Sequence, residues 1–154
     1  MTASPLKLLL LGFAAGALAT FFCHQSAWYV LNQVGAIPPD RPAWPLDPIP
    51  PLAVPYIVSK MFWGGLWGAV LALFLTRIEG AAYWIAWIVV GAIAPSLVAM
   101  YVVPLIKGLP VADFWPRAGV AGTVNAAWGL GTGFLLWLFG AARRLPEPAA
   151  GHLH

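Results

Sequence analysis

Apolar residues run almost unbroken through four stretches of this chain, about residues 8–34, 54–75, 81–106 and 118–141, and polar residues gather between them. Each run reaches the length of roughly 20 residues that a helix needs to cross a hydrocarbon layer. A lipid interior offers no partner for backbone N–H and C=O groups, so each run is expected to be a helix. The predicted fold is an all-α integral membrane protein: one domain of four transmembrane helices in a bundle, with a C-terminal tail at 142–154. The opening "LLLLGFAAGALA" has the look of a secretory signal, with Ala17 and Ala19 spaced for cleavage. The apolar run continues through "TFFC", so an uncleaved first helix is the expectation.

The links differ in kind. "TRIEG" (76–80) is short enough to make the second and third helices antiparallel neighbours, and 107–117, "KGLPVADFWPR", is intermediate. The link 38–55 holds eight of the fifteen prolines. Pro39, Pro42, Pro45, Pro48 and Pro51 recur every third residue, the period of polyproline II, so this loop is expected to be a semi-rigid PPII-like arm after the first helix. Its apolar register, Ala43, Leu46, Ile49 and Leu52, would lie on the helix ends, unless the ridge docks a partner.

A pattern recurs 65 residues apart. Trp63-Gly64, Gly68, Leu71 and Phe74 have the spacing of Trp128-Gly129, Gly133, Leu136 and Phe139, and outside that register the two external links each contain a Trp-Pro pair, Trp44-Pro45 and Trp115-Pro116. The expectation is a duplicated two-helix unit whose copies run parallel. On a helical wheel Gly64, Gly65, Gly68 and Ala72 share a face, as do Ala118, Gly122, Ala126, Gly129 and Gly133, while Gly12, Gly16 and Ala19 offer the same in the first helix. Lipid supplies no hydrophobic force to join helices, so small residues that admit close backbone approach are read as the packing surfaces.

Composition agrees with the pattern. Hydrophobic residues are 61% of the 154 and charged residues 8%, against about 25% charged in soluble domains. The net charge of +3 comes from eight scattered basic and five acidic residues, so no nucleic-acid partner is expected. Lys7, Arg77, Arg143 and Arg144 fall on the face of the termini, and Arg41, Lys60, Lys107 and Arg117 on the other. Setting Lys60 aside as part of its helix tips the balance towards both termini in the cytoplasm. Segments "CHQSAWYVLNQVG" and "SKMFWGGLWG" resemble those of small bacterial multi-pass proteins, a resemblance that implies a bacterial-type inner (cytoplasmic) membrane and no particular activity.

Candidate chemistry is sparse. Lys60 and Asn125 precede Gly64 and Gly129 by four residues, and His24 with Gln25 falls in the same half of the membrane. These four are read as lining a shallow polar pocket, because ionisable and amide groups within spans are functional candidates. Against this, the Lys60 stem could carry its amine to the interface. His24 has no second histidine at its depth for a bis-histidine haem, since His152 and His154 lie in the tail; a pigment would need only one axial ligand, with a hydrogen-bonded packing histidine the default. No cofactor or metal is expected. No span contains a carboxylate, and the sequence holds no phosphate loop, H-E-x-x-H or nucleophile elbow. Pro95 is expected to kink the third helix. The functional expectation is a non-catalytic protein, an accessory or assembly subunit of a membrane complex or a homo-oligomer, whose partners are the bilayer and other subunits or itself. The alternative is a small transporter or channel for a polar or anionic solute.

Overall fold

A computed structural model of the chain describes residues 4–111 and 114–142. The tail beyond Ala142, with Arg143, Arg144, His152 and His154, lies outside the described residues. Among those described, four long helices dominate. Helix α1 runs Pro5–Gln33, α2 Tyr56–Leu75 and α3 Gly80–Ile106, and these three are long and apolar enough to cross a membrane. Helix α4, Phe114–Leu138, has 25 residues. It is not among those three, for glycine, threonine and Asn125 dilute its apolar content.

Local chemistry fixes the ends. Ser4 caps α1 by accepting a hydrogen bond from the Lys7 N–H, and Pro5 occupies the first turn, where its missing N–H costs nothing. Gly35, Gly108 and Gly140 follow the C-termini of α1, α3 and α4 with φ of +77°, +64° and +68°. In each case the next residue's N–H reaches back to a carbonyl of the last turn, as in Ala36 to Leu31 at 2.9 Å and Ala141 to Leu136 at 2.9 Å. This left-handed cap favours glycine. The first two amides of α2 donate to loop carbonyls, Tyr56 to Asp47 at 3.0 Å and Ile57 to Pro45 at 2.9 Å.

Two helices contain π turns. In α1 the segment Thr20–His24 is wound so that the Gln25 N–H bonds to the Thr20 oxygen, five residues back. In α3 the helix passes through Pro95 and loosens into a π turn at Val98–Val102. Pro95 cannot donate, and Ser96 Oγ donates to the Ala92 oxygen at 2.6 Å, so the disturbance expected at Pro95 is spread over the following turn.

Packing follows the glycines. Helix α1 lies against α2, α3 against α4, and α1 against α4. A methyl placed on Gly12 would come within 2.8 Å of Ala69 and Ala72, and one on Gly68 within 2.9 Å of Gly16. Gly64 faces Thr20 and Gly16. In the second pair Gly129 faces Trp87 and Gly91, and Gly133 lies on the Trp87 ring. Trp128 Nε1 joins the pairs by donating to the Gly16 oxygen at 3.0 Å. The core is Ala15, Ala19 and Ala72 on one side, with Tyr83, Trp87, Trp128 and Leu136 on the other. Bulky apolar residues, among them Phe62, Trp63, Phe74, Ile85 and Ile93, point outward.

Three expectations are corrected. The short link Thr76–Glu79 does not make α2 and α3 close partners; their main contacts are with α1 and α4, because each follows its glycine-bearing neighbour. Gly122 meets nothing within 4 Å, so the small-residue face of α4 works only from Asn125 onward. The proline-rich loop is no straight arm. Pro48–Ile49 (β1) pairs antiparallel with Val54–Pro55 (β2), and Trp44 and Ala53 take left-handed φ of 49° and 53°. Leu46 and Leu52 are 72% and 79% exposed, while Ile37 and Pro45 are the buried residues.

Candidate functional site

Three places on the molecule join polar groups or open space to the helix crossings. The first is where the α1–α2 crevice meets the proline-rich loop. Antiparallel register sets Gly12 against Gly68, Gly16 against Gly64 and Thr20 against Gly64. One turn further towards the loop the glycines give out, and Lys60 of α2 comes opposite His24 of α1. The Lys60 ammonium lies 4.6 Å from the centroid of the Trp28 ring and 5.0 Å from that of Tyr56. His24 stacks on the same Trp28 ring at 6.3 Å and 15°. Trp28 is held in place because its Nε1 donates to the Arg41 oxygen at 2.9 Å.

The π turn decides which residue of α1 is buried at this level. In an unbroken α-helix His24 would sit above Thr20; the five-residue bond puts Gln25 there instead. Gln25 is fully buried, and neither its Oε1 nor its Nε2 has a hydrogen-bond partner. His24 Nδ1 is buried and unpartnered as well. Unsatisfied buried polar atoms are uncommon, and each asks for an explanation. Among the described residues no carboxylate pairs with Lys60; its ammonium contacts are the two rings.

The second place is between α3 and α4. Asn125 Nδ2 donates to Ser96 Oγ at 2.9 Å. A cleft of about 190 Å³ opens beside them, lined by Ile93, Ser96, Leu97, Met100, Ala118 and Gly122. The third is an open groove of about 580 Å³ between α1 and α4, lined by Cys23, Ala27, Val30, Trp84, Leu130 and Phe134 among others, and apolar throughout.

The four polar residues singled out in the sequence are thus divided. His24 and Lys60 share the Trp28 ring, Gln25 follows His24 and is buried at the end of the π turn, and the Asn125 amide is engaged by Ser96 on the other helix pair. Neither cavity is lined by His24, Gln25, Lys60 or Asn125. Trp28 and Tyr56 escaped sequence reasoning; their spacing of four and four from His24 and Lys60 is the signal that could have found them. Gly91, which meets Gly129, was also missed because no other glycine lies within two turns of it in α3. Among the described residues no three His, Cys, Asp or Glu side chains are grouped to hold a metal. No family model, no curated protein and no solved structure matches the chain.

Proposed function

We propose that the chain is a non-catalytic multi-pass membrane protein, its four helices forming one transmembrane bundle, and that it serves as an accessory or assembly subunit of a membrane complex or as a homo-oligomer. The observation that carries this reading is the inverted distribution of side-chain size. Glycine and alanine occupy the α1–α2 crossing, whereas Phe62, Trp63, Val70, Phe74, Ile85, Val89 and Ile93 face outward. Water would penalise such an exterior, at about 25 cal/mol for each Å² of apolar surface, and lipid or neighbouring helices would not. Large exposed apolar faces mark membrane or partner contact. The glycine crossings of α1 with α2 and α3 with α4 also favour a doubled two-helix unit; four spans would put both termini on one side, and the membrane proposed is a bacterial-type inner one, on the resemblance of the two segments quoted above. The two copies have diverged, since Trp63 is 60% exposed and Trp128 is 2% exposed and hydrogen-bonded.

Native mass spectrometry of the protein extracted gently from its own membrane tests this. A mass assembled from unlike chains is expected of an accessory subunit, and a multiple of one chain of a homo-oligomer. A bare monomer under all gentle conditions would overturn the reading. The second reading, a small transporter or channel for a polar or anionic solute, is favoured by one observation: the unpartnered buried polar atoms of the adjacent His24 and Gln25, with the His24 ring and the Lys60 ammonium meeting on Trp28.

A further inference from the structure

We infer that the loop-side mouth of the α1–α2 crevice is a binding site for an anionic oxygen group, a phosphate, seated by Lys60 with His24 and Gln25. The inference concerns the ligand of this one site, and it holds whether the chain is a subunit or a transporter; only its lipid arm rests on the membrane placement proposed above. Four features carry it. Lys60 is a cation without a carboxylate partner among the described residues, in a helix otherwise free of charge. Two adjacent residues of the facing helix hold buried polar atoms with no partner, His24 Nδ1 and both Nε2 and Oε1 of Gln25. The π turn that buries Gln25 has no counterpart in the α1–α2 packing below it, and π turns of this kind recur at functional sites. The Trp28 and Tyr56 rings hold the ammonium from two sides, which fixes its position while leaving its charge unneutralised.

The chemistry of the donor set selects the ligand. An ammonium brings three N–H donors, the glutamine amide two, and an imidazole one at Nδ1 in one of its neutral tautomers. These donors outnumber the one unpartnered amide acceptor, Gln25 Oε1, so the complement is an acceptor-rich anion, and charge-assisted bonds are the strong ones. Lys60 is one turn inside the start of α2, beside Tyr56, Trp28 and the loop. In a bilayer that is headgroup depth, where the phosphate of an anionic phospholipid and a dissolved phosphate can both arrive.

The test uses the full chain, purified in mild detergent, with Lys60→Met and Gln25→Leu variants. One arm adds phosphatidylglycerol or phosphatidylcholine and counts retained lipids by native mass spectrometry. The other compares thermal midpoints in sodium phosphate and sodium chloride at matched ionic strength. A headgroup site is expected to retain phosphatidylglycerol over phosphatidylcholine, with retention falling about tenfold in Lys60→Met, the size of one charge-assisted bond. A dissolved-anion site shows instead a phosphate-specific rise of the midpoint that Lys60→Met abolishes. If folded Lys60→Met matches the wild type in both arms, the site is refuted. Should Lys60→Met fail to fold, Gln25→Leu decides: a loss of the phosphatidylglycerol or phosphate response with the midpoint kept supports the site, and an unchanged response overturns it.

Discussion

At the scale of single residues, close approach separates two kinds of glycine that the sequence presents alike. Gly129 and Gly122 both lie on the small-residue stripe of α4. Gly129 faces the Trp87 backbone, and Gly122 faces open space. Gly129→Leu is therefore expected to force the α3–α4 pair apart and cost about 3 kcal/mol or more, at or beyond the upper end of overpacking penalties. Gly122→Ala is expected to be neutral or to stabilise, by up to about 1 kcal/mol from helix propensity. Thermal unfolding in one detergent reads both, and equal midpoints would sink the packing assignment. The same logic applies to Gly64→Leu in the first pair, where Thr20 and the Gly16 backbone stand in the way. Gln25→Leu runs the other way. It removes two buried polar atoms that have no protein partner, so in ligand-free protein the midpoint is expected to hold or rise, since a lone buried polar group costs about 1–3 kcal/mol. A marked fall would mean the amide is bonded after all.

At the scale of elements, the helices were legible and their neighbours less so. Continuous apolar runs located α1 to α4 to within a few residues, because lipid or core leaves the backbone no other way to satisfy itself. The π turns were not legible: one extra residue in a turn leaves no mark on a run that is apolar all round, yet it chooses Gln25 over His24 for burial. The loop was misread for a physical reason. Proline spacing fixes φ at the prolines only, and Trp44 and Ala53 between them take left-handed φ and bend the chain back. Hydrogen bonds to α1 then hold it: the α1 side chain Asn32 Nδ2 donates to the Ile37 and Pro38 oxygens at 3.2 and 2.9 Å, and the loop's Trp44 Nε1 donates to the Phe21 backbone oxygen of α1 at 2.9 Å. Asn32→Leu is accordingly expected to raise amide hydrogen exchange across residues 37–57, by about fivefold if one net hydrogen bond of ~1 kcal/mol is lost. Exchange unchanged in that loop would show that the proline hairpin stands without α1. Of the candidate site, sequence supplied Lys60 and His24 but not the Trp28 ring that unites them, because their meeting depends on the antiparallel register of two separate helices.

At the scale of the whole molecule, α4 decides how many helices cross. Three are apolar enough by composition, and α4 is less so. Its position accounts for the difference. Helix α4 packs on both α1 and α3, so Val124, Trp128, Thr132 and Leu136 are buried by protein and only part of its surface would meet lipid. A helix enclosed on two sides can carry glycine, threonine and Asn125 at membrane depth, as its small residues admit close neighbours and its hydroxyls bond backward, Thr132 Oγ1 to the Trp128 oxygen at 2.8 Å. Composition measured along the sequence counts Gly129, Thr132 and Gly133, which face protein, against it. If α4 crosses, four spans return the chain to its starting side, and tags at the two termini are expected to be cut by protease from the same face of sealed vesicles. Termini accessible from opposite faces would leave α1, α2 and α3 as the spans. The shared crossing of Gly16 with Trp128 argues for the first outcome: Trp128 Nε1 reaches a carbonyl in the middle of α1, at a depth that a helix lying on the membrane surface could not share.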